Sequence, residues 1–150
     1  MDDVSEILNK ARLRGKEMRL PYAGALLPAE AEALMRQDPN ARLVDVRTQA
    51  EWDFVGKVPG SHLVEWQTYP NSRPNPAFLE QLKSQVETGA TVMFLCRSGA
   101  RSHAAATAAT QAGYQQSFNV LQGFEGDKDP EGHRSAVGGW KFSGLPWSQS

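Results

Sequence analysis

A chain of 150 residues, 40% of them hydrophobic, is long enough to bury one sizeable core and too short for two domains of ordinary size. Sixteen Lys and Arg against seventeen Asp and Glu leave a net charge of -1, so there is no global electrostatic basis for a nucleic-acid or membrane partner, and any cationic function must be local. One cysteine excludes an intrachain disulfide, and the lack of a CxxC or Cys/His cluster argues against a structural zinc site.

The N-terminal stretch MDDVSEILNKARLRGKEMRL is charged throughout and lacks an apolar signal segment. No apolar run approaches the ~20 residues that a membrane-spanning helix needs, so the expected location is the cytoplasm. Val4, Ile7, Leu8 and Ala11 recur at helical spacing, which predicts an amphipathic helix over 3–15 ending near Gly15. Residues 1–24 are accordingly read as a helical extension added to a main domain over 25–150. Pro28 to Gln37 predicts a helix with Leu27, Ala31, Leu34 and Met35 on one face, stopped by Asp38 and Pro39. The first clear strand is Ala41 to Val46, with Asp45 and Arg47 at its end, followed by helix-like TQAEWDF and turn signals at Gly56, Pro59 and Gly60.

A short strand is expected over His62 to Glu65, then a Pro/Asn-rich loop, YPNSRPNP, then a helix with Phe78, Leu82 and Val86 at four-residue spacing and a Gly89 stop. Thr91 to Leu95 reads as a buried strand, His103 to Ala112 as a small-residue helix closed by Gly113, and Ser117 to Leu121 as the last strand. A final short helix is expected within 137–145 around Trp140. Strands alternating with helical segments predict an α/β domain with a doubly wound, mostly parallel sheet flanked by helices. Ligands of such sheets bind at the C-terminal ends of strands. Asp45 and Cys96, fifty-one positions apart, both fall at such ends.

Cys96 sits on a strand-loop-helix turn whose loop carries two arginines, CRSGARS. Such a turn aims successive N–H groups and the positive end of a helix dipole at one spot, which suits a nucleophilic sulfur and a bound anion. Arg97 and Arg101 add full charges, and a planar guanidinium can hold an oxyanion through two hydrogen bonds. Gly99 would allow positive φ so that the amides of Arg97, Ser98, Gly99, Ala100, Arg101 and Ser102 converge. Ser98 and Ser102 would bond a sulfur species or cap the helix, with capping the expected role of Ser102. His62, His103 and His133 are scattered and read as structural.

Taken together, LVDVR with Glu51 downstream, GKVPGS, CRSGARS, and the ending NVLQGF…GGW…GLPW resemble the single-domain rhodanese family of sulfurtransferases over roughly residues 25 to 147. The resemblance implies a five-stranded parallel sheet, Cys96 as the catalytic residue carrying sulfane sulfur as a persulfide, and no metal or organic cofactor. It further implies that Asp45 and Arg47 order the loops around the site rather than act in catalysis. The implied partners are a small anionic donor such as thiosulfate and a protein or low-molecular-weight thiol acceptor. Residues 125–138, EGDKDPEGHRSAVG, form an insertion of about a dozen residues relative to the family ending. The insertion begins like a calcium loop, but the twelfth position from Asp127 is Gly138 rather than a glutamate.

The nearest rival is a cysteine phosphatase or arsenate reductase built on a related anion-cradling Cys loop. Four residues separate Cys96 from Arg101 and Leu95 precedes the cysteine. A phosphatase loop of that kind is longer and usually has His before Cys, so the shorter loop suits one sulfur atom better than a phosphoryl group. A third class, a sulfur-relay or interaction module without turnover, is disfavoured in its inactive form by the intact Cys96 and arginines.

Overall fold

The structure, a computed structural model, describes residues 3–149. Helix α1 (Val4–Met18) is capped by the Asp3 carboxylate, which accepts from the Glu6 N–H at 2.9 Å. Gly15 does not stop it. The helix runs on to a left-handed Arg19 (φ 56°), and Gly15 lies buried where a Cβ would stand 2.9 Å from the Gly24 Cα. This glycine permits close packing rather than a turn. The neighbouring strand, β1 (Gly24–Leu26), went unpredicted because three residues are too few to show alternation.

Helix α2 (Pro28–Gln37) has the expected bounds, with proline at its first position and the Glu30 carboxylate accepting from the Leu27 N–H at 2.8 Å. Strand β2 (Ala41–Asp45), helix α3 (Gln49–Phe54) and strand β3 (His62–Leu63) follow. Around the predicted Pro/Asn loop the chain forms a small antiparallel hairpin, with β4 (Gln67–Thr68) just before the loop and β5 (Arg73–Pro74) within it. Helix α4 (Phe78–Gln85), strand β6 (Thr91–Leu95), helix α5 (Ala100–Gln111) and strand β7 (Ser117–Val120) complete the set. The helix expected around Trp140 is absent. Residues 137–145 form turns, because Gly139 (φ 103°) and Gly144 (φ 73°) adopt conformations that an α-helix excludes. Trp140 is instead fully buried, donating from Nε1 to the Pro146 carbonyl at 2.8 Å.

The main sheet has five strands in the order β1-β7-β6-β2-β3, every pairing parallel. Side chains alternate across it. Val92, Phe94 and Cys96 join one core with Phe78, Leu82 and Val86 of the α4 region and Ala105, Ala106 and Ala109 of α5. Met93 and Leu95 face the other core with Ile7, Ala11, Leu34, Phe118 and Trp140. The alanine face of α5 lets that helix lie close to the sheet.

Helix α1 is thus built into the second core through Ile7 and Ala11. Its Arg14 also reaches the sheet, donating to the Ala25 carbonyl at 2.7 Å and forking onto Glu30 at 2.8 and 3.0 Å. Among the described residues no helix is long and apolar enough to cross a membrane.

Candidate active site

Cys96 ends β6, and because it continues the alternation of that strand its side chain enters the α4/α5 side of the sheet, where it is 1% exposed. The chain then turns at Gly99 (φ 117°), a backbone conformation only glycine adopts readily, and α5 starts at Ala100, three residues before the expected His103. The early start decides the geometry. It puts Ser102 inside the first turn, not at the cap, with its Oγ 3.2 Å from Cys96 Sγ. The Gly99 N–H donates to the same sulfur at 3.1 Å. An N–H, a hydroxyl and the N-terminus of a twelve-residue helix therefore converge on one buried thiol. Asn119 on β7 holds this arrangement from behind, accepting from Ser102 Oγ at 2.5 Å and donating to the Gly99 carbonyl at 3.2 Å.

The two loop arginines part company. Arg101 places both guanidinium nitrogens on Glu51, at 2.7 and 2.9 Å, so its fork is occupied rather than open to an anion. Glu51 belongs to a capping box at the start of α3, where Thr48 and Glu51 satisfy each other's backbone N–H. Burial pushes the Glu51 carboxyl up, but the Arg101 hydrogen bonds and charge, with the Thr48 N–H, hold it below the ordinary carboxylate range. Burial likewise pulls Arg101 down, and Glu51 more than restores it. Arg97 is exposed, and its side chain has no hydrogen-bond or ionic partner among the described residues.

Asp45 and Arg47 lie beneath the loop, both 0% exposed, with Arg47 Nη2 2.7 Å from Asp45 Oδ2 and 2.7 Å from the Gly56 carbonyl. The guanidinium stacks 4.3 Å above the centre of the Phe124 ring. Phe124 in turn donates its N–H to the Cys96 carbonyl at 2.8 Å, and Glu125 and Gly126 donate to the Arg97 carbonyl at 3.0 and 3.1 Å. Gly123 (φ 63°) makes this approach possible, since a Cβ there would stand 2.5 Å from the Cys96 carbonyl oxygen. The insertion is tied to the same strap. Ser135 donates to the Glu125 carbonyl at 2.6 Å and Arg134 to the Gly126 carbonyl at 2.7 Å.

Above the thiol opens a cleft of about 580 Å³. Cys96, Arg97, Ser98, Ala100 and Arg101 form its floor, α3 gives one wall through Ala50 and Phe54, and the β4–β5 hairpin gives another through Thr68 and Tyr69. Gly99, Ser102, Asp45 and Arg47 support it from below without lining it, and none of the three histidines borders it. His103 instead meets the Tyr22 hydroxyl through Nδ1 at 2.8 Å. No group of three or more His, Cys, Asp or Glu side chains among the described residues is placed to hold a metal ion. Asn119 and the hairpin wall carry no local signal in the sequence, and the partner of Glu51 lies fifty positions away. Only Glu51 carried a usable local signal, the Thr48-x-x-Glu51 capping box.

The chain matches the family profile described as the Rhodanese-like domain over residues 27–129. An uncharacterized protein of Rickettsia rickettsii is 36% identical over 126 residues, spanning 79% of this chain and 91% of the relative. Among solved structures, the crystal structure of Rv0390 from M. tuberculosis is 45% identical with a TM-score of 0.79, covering 86% of this chain and 99% of that one. The polysulfide-sulfur transferase homodimer of Wolinella succinogenes shares the fold at 19% identity and a TM-score of 0.58, covering 99% of this chain and 95% of that one. A Rhodopseudomonas palustris protein of unknown function, described as a possible tyrosine phosphatase, shares it at 21% identity and a TM-score of 0.55, covering 99% of this chain and 96% of that one. With the five-stranded parallel sheet, the Cys96 turn and a family match over most of its length, this chain belongs to the rhodanese-like domain family.

Proposed function

We propose that this chain is a sulfurtransferase that carries sulfane sulfur as a persulfide on Cys96. The observation that carries the reading is the seat of the sulfur: Cys96 Sγ lies at the floor of an open cleft, 3.1 Å from the Gly99 N–H and 3.2 Å from the Ser102 hydroxyl. In the first half-reaction the Cys96 thiolate attacks the outer sulfur of thiosulfate or of a donor persulfide. The donor's S–S bond breaks, sulfite or a thiolate leaves with the electron pair, and the transferred sulfur stays on Sγ. In the second, an acceptor nucleophile takes that sulfur and returns Cys96 as the thiolate.

Both steps move negative charge through one small volume. Preorganised N–H donors of the loop stabilise it there much as an oxyanion hole does. Arg97 supplies the uncompensated cation for an anionic donor, while Arg101, held by Glu51, serves more as wall than as clamp. Asp45 and Arg47 act by fixing the loop from beneath. The residues on hand carry both half-reactions without a metal or organic cofactor. A thiol that must stay reduced suits the cytoplasm.

The test is intact mass after incubation with thiosulfate or polysulfide, followed by thiocyanate release on adding cyanide, with Cys96→Ser alongside. The wild type should gain one sulfur atom and release thiocyanate, and the variant should do neither. A wild type that gains no sulfur, or is no faster than the variant, sinks the reading. Hydrolysis of an aryl phosphate at a comparable rate would point instead to the phosphatase class.

A further inference from the structure

The cleft over Cys96 is far larger than an inorganic sulfur donor requires. About 580 Å³ lies within the range of sites that bury organic ligands, whereas thiosulfate fills only the volume directly above the thiol. Its walls are also unlike those of an oxyanion site. Phe54 on α3 is 78% exposed and Tyr69 at the turn of the hairpin is 70% exposed. Large aromatic side chains left this open beside a buried nucleophile resemble the anchors of a binding interface more than ordinary surface. Between them the hairpin presents Gln67, Thr68 and Ser72, whose side chains have no hydrogen-bond partner among the described residues, so they are free to meet a peptide backbone.

The charge balance narrows the occupant. Glu51 answers the charge of Arg101, which leaves Arg97 as the uncompensated cation on the cleft floor. One uncompensated cation is enough to pair with a side-chain carboxylate of an incoming segment. Resting on the persulfide reading above, we infer that the sulfur acceptor is a cysteine thiol on an extended segment of another protein, which lies between α3 and the β4–β5 hairpin with an apolar neighbour against Phe54 and Tyr69 and a carboxylate on Arg97. The acceptor thiolate attacks the outer sulfur of the Cys96 persulfide, the Cys96 S–S bond breaks, its electron pair remains on Sγ, and the segment leaves as the new persulfide. No external oxidant or reductant enters this exchange. A free low-molecular-weight thiol would reach the same sulfur without covering both aromatic walls.

The experiment loads the full chain with polysulfide, confirms one added sulfur by intact mass, and then follows transfer to three acceptors. These are cyanide, glutathione as a free thiol, and an acetylated peptide whose central cysteine is flanked by leucine and glutamate. For the wild type, kcat/KM for the peptide should exceed that for glutathione by about tenfold. Phe54→Ser and Tyr69→Ser should each lower the ratio of peptide to cyanide efficiency by about tenfold. Replacing the peptide's glutamate with lysine should weaken the wild type but make no difference to Arg97→Ala. Equal efficiency for peptide and glutathione overturns the inference, as does an unchanged peptide-to-cyanide ratio in both wall variants. A chain that gains no sulfur at all overturns the persulfide reading and the inference with it, whereas loading followed by indiscriminate transfer overturns the inference alone.

Discussion

Two carboxylate–guanidinium pairs flank the Cys96 loop, alike in chemistry and opposite in setting. Asp45 and Arg47 are fully buried beneath the loop, and the guanidinium also holds the Gly56 carbonyl and stacks on Phe124. Glu51 and Arg101 keep 18% and 19% of their side-chain surface and join α3 to α5 along the rim of the cleft. Depth decides what each pair can do. A charge stripped of its partner in the interior has no water to turn to, so the two members of the lower pair are tied to one another. At the rim either partner can exchange its neighbour for solvent or for an incoming ligand.

Breaking the lower pair should have the largest effect. Arg47→Met strands the Asp45 carboxylate and should destabilise the fold by about 3–5 kcal/mol, read as a lower urea midpoint. Pairing it with Asp45→Val should recover much of that loss, and a double variant as unstable as the single one would mean that packing on Phe124, not charge, dominates. Next comes Gly123→Ala, which sets a Cβ against the Cys96 carbonyl from the same side of the loop and forces alanine to positive φ. A loss of about 2–4 kcal/mol is expected, with slower sulfur loading in the fraction that folds.

Glu51→Gln should cost about 1–2 kcal/mol at neutral pH, between the values for exposed and buried pairs. Its pH dependence has a definite sign. The folded Glu51 carboxyl lies below its ordinary value, so its stabilisation is complete above the unfolded pKa and is lost as pH falls through the lower folded one. The Tm gap between wild type and variant should therefore be widest at neutral pH and close on acidification below the ordinary carboxylate range. A gap that stays constant with pH would show that the charge of the Glu51 carboxylate supplies none of the stability. Smallest of all, Arg97→Ala should change stability by less than about 0.5 kcal/mol while weakening thiosulfate more than an uncharged polysulfane donor. Equal losses with both donors would remove Arg97 from anion binding.

The contiguous part of the site was open to sequence reading and the assembled part was not. Cys96 to Ser102 lie on one turn, so residue types and spacing were enough to foresee the strand-loop-helix turn that carries the cysteine and its glycine. The partnership of Glu51 with Arg101 joins residues fifty positions apart, and the support of Ser102 by Asn119 comes from a strand whose polar residue looked like any other. In the fold, α2 and β6 were legible because a proline start and a run of apolar residues are local signals. The β4–β5 strands of two residues each show no periodicity, and the turn glycines around Trp140 outweighed the helical look of that stretch. Gly15 misled because a glycine at a helix–strand contact reads like a glycine at a helix end.

Strand β1 forms one border of the main sheet, since only β7 pairs with it. The Leu26 carbonyl turns inward to accept from the Leu121 N–H, so that of Ala25, one residue earlier, points out from the border. Left bare, such a carbonyl is an invitation for a foreign strand to dock and extend the sheet. Arg14 occupies it and is itself fastened to Glu30. Helix α1 thereby acts as a guard against edge-to-edge aggregation, and Arg14→Ala would be expected to show itself less in activity than in the tendency of concentrated protein to self-associate.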